Sequence, residues 1–172
     1  MTETSAMTIR RSIAAILPAV AIMAMMTACA PNPDDASAYT ALPKSGWCYG
    51  DTLRFRPRMD DSIASGRLTV AVRHDGSYPY ADLYLEVSYP RNPSDTADRS
   101  VVRDTVGMAL ADMSGRWLGQ GFGASYQCSA TLGHRVALRD SGEVSVRHVM
   151  RVDTLRGIVQ AGIIFTADDV SD

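Results

Sequence analysis

Leu68-Thr69-Val70-Ala71-Val72-Arg73 and, one turn later, Leu83-Tyr84-Leu85-Glu86-Val87-Ser88-Tyr89 decide the fold. Leu68, Val70 and Val72 alternate with Thr69, Ala71 and Arg73, which puts one set on each face of an extended strand. Leu83, Leu85, Val87 and Tyr89 alternate in the same way with Tyr84, Glu86 and Ser88. Working outward, Val106, Met108 and Leu110 form a third row, and Val144 with Val146 a fourth. A fifth is expected through Val159, Ala161, Ile163 and Phe165. Further strands are expected within 47–55, 117–128 and 135–138, and no window of similar length carries a helical period. Turn chemistry separates the rows at Asp60-Asp61-Ser62, Asp75-Gly76-Ser77, Pro90 to Ser94, Ser114-Gly115 and Ser141-Gly142. Alternating strands bury one face only, so two sheets must close on each other. The expectation is an all-β chain with a single antiparallel β-sandwich, of the jelly-roll or immunoglobulin-like class, over 46–167. The strand order is not readable.

Upstream of that domain the chain has a different character. Arg10 and Arg11 precede an apolar run over 13–26, broken only by Pro18, and Met26-Thr27-Ala28-Cys29 follows. This is the layout of a secretory signal with a lipoprotein processing site, so 1–28 are excluded from the fold and Cys29 is expected to carry lipid. Met7 serves equally well as the start. A spanning helix needs about 20 apolar residues, more than this run supplies. An ordinary secretory signal with an incidental cysteine is the other alternative. One acyl chain binds a membrane only marginally, at about 0.8 kcal/mol per buried methylene, whereas a diacylglyceryl cysteine is a near-permanent anchor. Residues 29–45, rich in Pro, Asp, Asn, Ala and Ser, read as a lipidated tether, and a flexible coil of about 15 residues spans roughly 20 to 25 Å. Residues 168–172 read as an acidic tail. The expected location is the cell envelope, the outer membrane ahead of the inner, with the periplasmic and surface faces both open.

The whole chain has 17 basic and 19 acidic residues, and removal of Arg10, Arg11 and Glu3 with the signal leaves 15 and 18. This mild, interspersed acidity offers no basic stripe, so nucleic acid is not an expected partner.

No catalytic or metal constellation is legible, and no cofactor is expected. With Cys29 lipidated, Cys48 and Cys128 form an even pair in a compartment where disulfides are permitted. A bridge between them would close a loop of about 80 residues and contribute roughly 4 kcal/mol in the chain-entropy model. Two buried free thiols are the equal alternative. His74, before Asp75, reads as a solvated strand end entering a turn rather than a general base. His134 falls in an expected loop, and His148 in the inward register of Val144 and Val146, as a hydrogen-bonded, semi-buried side chain. Gly119, Gly121 and Gly123 have neither the spacing nor the strand-to-helix context of a dinucleotide site, and read as a bulge, bend or close backbone approach. The carboxylate pairs Asp60-Asp61 and Asp168-Asp169 read as solvated. Tyr78, Tyr80 and Tyr84 with Trp117 offer a sugar-stacking or protein-contact patch, against the plainer reading that they cover sheet edges.

One ordered set of segments resembles a known family. It runs from Trp47 and Asp51-Thr52-Leu53 through Arg73-His74 to Tyr78-Pro79-Tyr80-Ala81-Asp82-Leu83-Tyr84. Asp104-Thr105, Leu110-Ala111-Asp112 and Gly115-Arg116-Trp117-Leu118-Gly119-Gln120-Gly121 come next. Met150-Arg151, Leu155, Gly157-Ile158 and Gly162-Ile163 close the set. With the signal and Cys29, the order and spacing are similar to the gliding-motility lipoprotein GldH family of Bacteroidota. Cys48 and Cys128 are a departure from that pattern. Asp34 and Asp35, soon after Cys29, resemble a surface-export signal of Bacteroidota-type lipoproteins. The resemblance implies a non-enzymatic accessory or scaffold component, anchored through Cys29 and partnered with envelope proteins of the gliding and secretion machinery. It carries over no catalytic residue. It also implies that Tyr78-Pro79-Tyr80 and Trp117-Leu118-Gly119-Gln120-Gly121 are the family's structural signature, and Tyr78, Pro79, Tyr80, Trp117, Leu118, Gly119 and Gly121 are the candidate contact surface. A surface carbohydrate-binding lipoprotein, using exposed aromatics on a glycan, is the rival.

Overall fold

The computed structural model describes residues 35–168. The signal, Cys29 and residues 169–172 lie outside them. Twelve strands and no helix make up the described residues. The expected all-β antiparallel sandwich is what the chain forms.

The longest strand is β4 (Ile63–Asp75), which carries the first alternating row. It sits in a six-stranded sheet ordered β1 (Asp35–Ala41), β12 (Ile158–Ala167), β4, β8 (Ser125–Thr131), β7 (Gln120–Phe122), with β9 (Val136–Arg139) also beside β4. One edge of β4 pairs with β12. The other edge is shared, Ile63 to Gly66 with β9 and Thr69 to Asp75 with β8. The second sheet runs β3 (Leu53–Phe55), β10 (Val144–His148), β5 (Asp82–Pro90), β6 (Val101–Ala109). A small ribbon of β2 (Trp47–Cys48) and β11 (Thr154–Leu155) completes the domain.

The core lies between the inward rows. Leu68, Val70, Val72, Ala161, Ile163 and Phe165 come from the larger sheet, and Leu83, Leu85, Val87, Val144 and Val146 from the smaller, all essentially inaccessible. Each fully buried Val, Leu, Ile or Phe contributes about 1.5–3 kcal/mol, so these rows are the main reason the sheets stay closed. Trp47 seals one end. Its ring is fully buried, and its indole N–H donates to the Asp51 carbonyl at 3.0 Å.

Three sequence expectations need correction. Residues 35–41, assigned to the tether, form β1, paired with β12 from Asp35↔Thr166 to Ala41↔Gln160. Their composition offers little to bury, but a ladder is held by backbone bonds, and the small Ala36 fits against the core. Tyr39 lies where a side chain at Gly162 would stand, so the glycine admits the ring. Residues 35–41 therefore belong to the folded domain, which the sequence places from 46. At the other end, Asp168 is tied in, its amide donating to the Ser65 carbonyl at 2.8 Å and its carboxylate pairing with Arg135. In β12, a register irregularity between Ile158 and Gln160 puts Ile158 inside and Val159 at the surface, against the simple alternation read there.

Candidate contact surface

The end of β4 and the segments after it bring the expected aromatic residues together around His74. The imidazole lies 4.8 Å from the Trp117 ring, 5.4 Å from Tyr126 in a stacked pose and 5.8 Å from Tyr78. Far from being a solvated strand end, His74 is fully buried. It is inward because β4 keeps its alternation through Val70, Val72 and His74, and rings from three segments roof it. Its Nδ1 lies 3.1 Å from the Asp75 carbonyl, which can only accept, so Nδ1 carries the hydrogen; Nε2 has no partner. The imidazole is thus packed among rings, with one nitrogen at a backbone carbonyl.

Tyr78 is also buried, contrary to its expected place on an open patch. Its hydroxyl donates to the Asp82 carbonyl at 2.7 Å. Burial, then the charge of Asp82, then Tyr80, push that hydroxyl well above the usual tyrosine range. The backbone at Gly157, in the left-handed region with φ +83°, lies against Tyr78 so closely that a Cβ would stand 2.5 Å from its Cα and N. Tyr78 is therefore clamped from both sides.

What remains exposed is Pro79, Tyr80 and Tyr84. Tyr80 and Tyr84 line an apolar groove of about 340 Å³ with Val149, Met150, Arg151 and Val152. The groove forms because β10 ends at His148 while β5 continues, and Met150 fills the vacated ladder position, its sulfur 3.4 Å from the Tyr84 amide. Leu118, Gly119 and Gly121 line a different, polar groove of about 650 Å³, with Ala109, Gln120, Gln127, Cys128 and Ser129. The expected surface is thus split into two grooves and a buried hinge of Tyr78 and half-buried Trp117. The glycines make the close approach read from the sequence. A Cβ on Gly121 would run into the Ser125 carbonyl, and one on Gly119, at φ +91°, into Gln127 and the Cys128 sulfur.

Both thiols are free, so the bridge weighed above is not made. Cys48 is exposed on the β2–β11 ribbon, its sulfur 3.9 Å from Thr154 Oγ1. Cys128 is buried in the larger sheet and donates to the Leu118 carbonyl at 3.4 Å, and burial raises its pKa.

His148 matches its expected inward register, fully buried with Nε2 3.1 Å from the Trp47 carbonyl. His134 enters a cluster the sequence reading missed. The Tyr89 hydroxyl donates to Asp104 Oδ2 at 2.6 Å, and His134 Nε2 lies 2.8 Å from that hydroxyl and 3.4 Å from Asp104. The available signal was Asp104 itself, a carboxylate in the same register as the inward Val106 and Met108. Burial and the Asp104 contact together raise the Tyr89 hydroxyl above its ordinary range. Among the described residues, no group of three or more His, Cys, Asp or Glu could hold a metal ion.

The outward face of the smaller sheet is polar. Arg147 donates to both oxygens of Glu86, at 2.8 and 3.2 Å, which holds that carboxyl below its usual pKa. Arg54 and Arg56 share Glu143 at 2.5 and 2.9 Å.

Residues 36–164 match the GldH lipoprotein family, a span that starts in β1 and ends in β12. The chain belongs to the GldH lipoprotein family. It is a GldH-like lipoprotein, a membrane-anchored protein of the cell envelope, and the family is not a known enzyme family. No curated protein matches the sequence. Solved structures give distant similarities. Eiger TNF from S. frugiperda shares 10% identity over 81% of this chain and 98% of that one, with a TM-score of 0.32. The CBM35 from Cellvibrio japonicus Abf62 shares 12% over 77% and 99%, at 0.33. The K1 cleaved adhesin domain of Lys-gingipain from Porphyromonas gingivalis W83 shares 12% over 81% and 93%, at 0.31. At such scores these likenesses carry no argument about what the GldH-like chain binds.

Proposed function

We propose that this GldH-like lipoprotein is a non-enzymatic accessory component of the envelope, held to the outer membrane through lipid on Cys29. Its sandwich presents a rigid surface to other envelope proteins of the gliding and secretion machinery. The observation that carries the reading is the family match across nearly the whole described domain, joined to the Met26-Thr27-Ala28-Cys29 processing sequence. The side-chain chemistry supports it. His74 and His148 are each buried, with one ring nitrogen at a backbone carbonyl, and so serve packing rather than proton transfer. Crosslinking in cells followed by identification of captured envelope proteins tests the reading. Recovery of motility or secretion components is expected, and their absence would overturn it.

A second reading has a specific observation in its favour. Tyr80 and Tyr84 stand exposed beside a groove that also holds Arg151, a combination suited to stacking on and bonding a sugar ring. Glycan binding that disappears with Tyr80→Ala and Tyr84→Ala would establish it.

A further inference from the structure

The free edge of β6 has the features of a strand-docking site. Tyr84 accepts a hydrogen bond from the Val149 amide at 3.0 Å, so its backbone faces β10 rather than β6. Backbone groups alternate sides along an antiparallel strand. Gly107, the β6 partner of Tyr84, therefore turns its N–H and C=O away from β5, and so do Val101, Arg103, Thr105 and Ala109. Among the described residues β6 pairs only with β5, which leaves five consecutive edge-facing positions unpaired. The other strands of these sheets with a free side are shorter: β3 and β7 have three residues each, β9 four and β1 seven, against nine in β6. A long edge of unpaired amides and carbonyls is a template for another extended backbone.

Charge narrows the occupant. Arg147 occupies both oxygens of Glu86, and Arg103 reaches that carboxylate only at 3.9 Å, with 64% of its side chain exposed. The Arg103 guanidinium leans across the outward face toward Glu86 without closing a short bond, and its exposed side chain is free to turn to an acidic side chain on an added strand. A second copy of this chain would not supply one, because twofold pairing centred on Thr105 sets Gly107 opposite Arg103. Asp104, on the inward face and held by Tyr89 and His134, guards the same edge against indiscriminate pairing. The polar groove at Ala109, Leu118 and Gly119 continues the edge at its far end.

We propose that β6 binds an extended, acidic segment of a partner polypeptide by strand addition, enlarging the four-stranded sheet to five. This rests on the reading that the lipoprotein engages protein partners. The test uses the full chain in detergent, with amide exchange followed residue by residue. The probes are a nine-residue peptide alternating valine and glutamate, its lysine counterpart, and the glutamate peptide with a central proline. The amides of Arg103, Thr105 and Gly107 should exchange freely in the protein alone and be protected at least tenfold by the glutamate peptide. The lysine and proline peptides should protect them far less. Thr105→Pro removes an edge amide without breaking the β5 ladder, and should weaken binding at least tenfold, as should Arg103→Glu. Thr105→Ala should bind as the parent does, which separates loss of the amide from loss of the side chain. Unaltered β5-facing amides in each variant show that it is folded. Protection in the protein alone with a dimer mass would overturn the proposal in favour of a second copy. Equal protection by the lysine peptide, or none by the glutamate peptide, would also overturn it. Crosslinking that recovers machinery components equally from the parent and Thr105→Pro would sink this inference while leaving the function above standing.

Discussion

His148 should make the domain acid-sensitive well above the range where carboxylates titrate. The imidazole is fully buried, its Nε2 faces the Trp47 carbonyl at 3.1 Å, and its Nδ1 has no partner. A carbonyl only accepts, so Nε2 holds the hydrogen in the neutral ring and Nδ1 is the site a second proton would take. That proton would bring a charge into the core, with the Trp47 and Tyr49 rings at 5.5 and 5.7 Å. Burial lowers the folded pKa, and the backbone bonds at Trp47 and Cys48 and the charge of Asp51 only partly offset this. The unfolded chain protonates at about 6.5. Below that value it binds more protons than the native state, so stability rises with pH there and falls as pH drops, by up to about 1.4 kcal/mol per unit. Between pH 7.5 and 5.5 the loss from this one group is therefore no more than about 1.4 kcal/mol. Urea unfolding at pH 7.5, 6.5 and 5.5, followed by tryptophan fluorescence and circular dichroism, measures it. His148→Phe keeps a ring and removes the titration. It should cost about 1–3 kcal/mol at pH 7.5, because the Trp47 carbonyl loses its donor, but should lose less than the parent on acidification, by up to about 1.4 kcal/mol. Contributions from Glu86 and the other carboxylates are common to both proteins and cancel. Equal losses in the two would refute the reasoning.

Ala38→Pro should destabilise the domain by about 2–4 kcal/mol, since Ala38 sits opposite Ile163 inside the β1–β12 ladder; an unchanged urea midpoint would return 35–41 to the tether. Gly121→Ala should cost at least about 2 kcal/mol, because its Cβ has to displace the Ser125 carbonyl, and differential scanning calorimetry reads this as a lowered Tm. Under native, non-reducing conditions maleimide should label Cys48 quickly and Cys128 slowly, and reductant should leave the unfolding midpoint unchanged. A midpoint that falls on reduction would reinstate the bridge. Tyr84→Ala should change stability little, because the ring is largely exposed, whereas Tyr78→Phe should cost about 1 kcal/mol for the lost bond to Asp82.

The misreadings share a cause. Residues 35–41 have a linker's composition, and what makes them a strand is β12, more than a hundred residues away. His74 sits where the alternation predicts an inward side chain, but next to a turn signal that suggested solvent. Trp117 and Tyr126 bury it, and neither is near it in the chain. Tyr78 reads as a loop aromatic until Gly157 closes over it. Tyr89, Asp104 and His134 come from β5, β6 and the turn after β8, and only the sandwich brings them within hydrogen-bond reach.

By itself the sequence determined the class of the fold, the inward rows of the core, the turns between them, the family, and the expected lipid site at Cys29. Those are local properties: a period of two, a turn residue and a processing motif act within a few residues of themselves. Tertiary structure alone decided that 35–41 join the sandwich, which tyrosines face water, that the two thiols stay free, and that β6 is left with an unpaired edge. Those depend on which distant strands become neighbours, and alternation, being the same in every strand, carries no record of the partner.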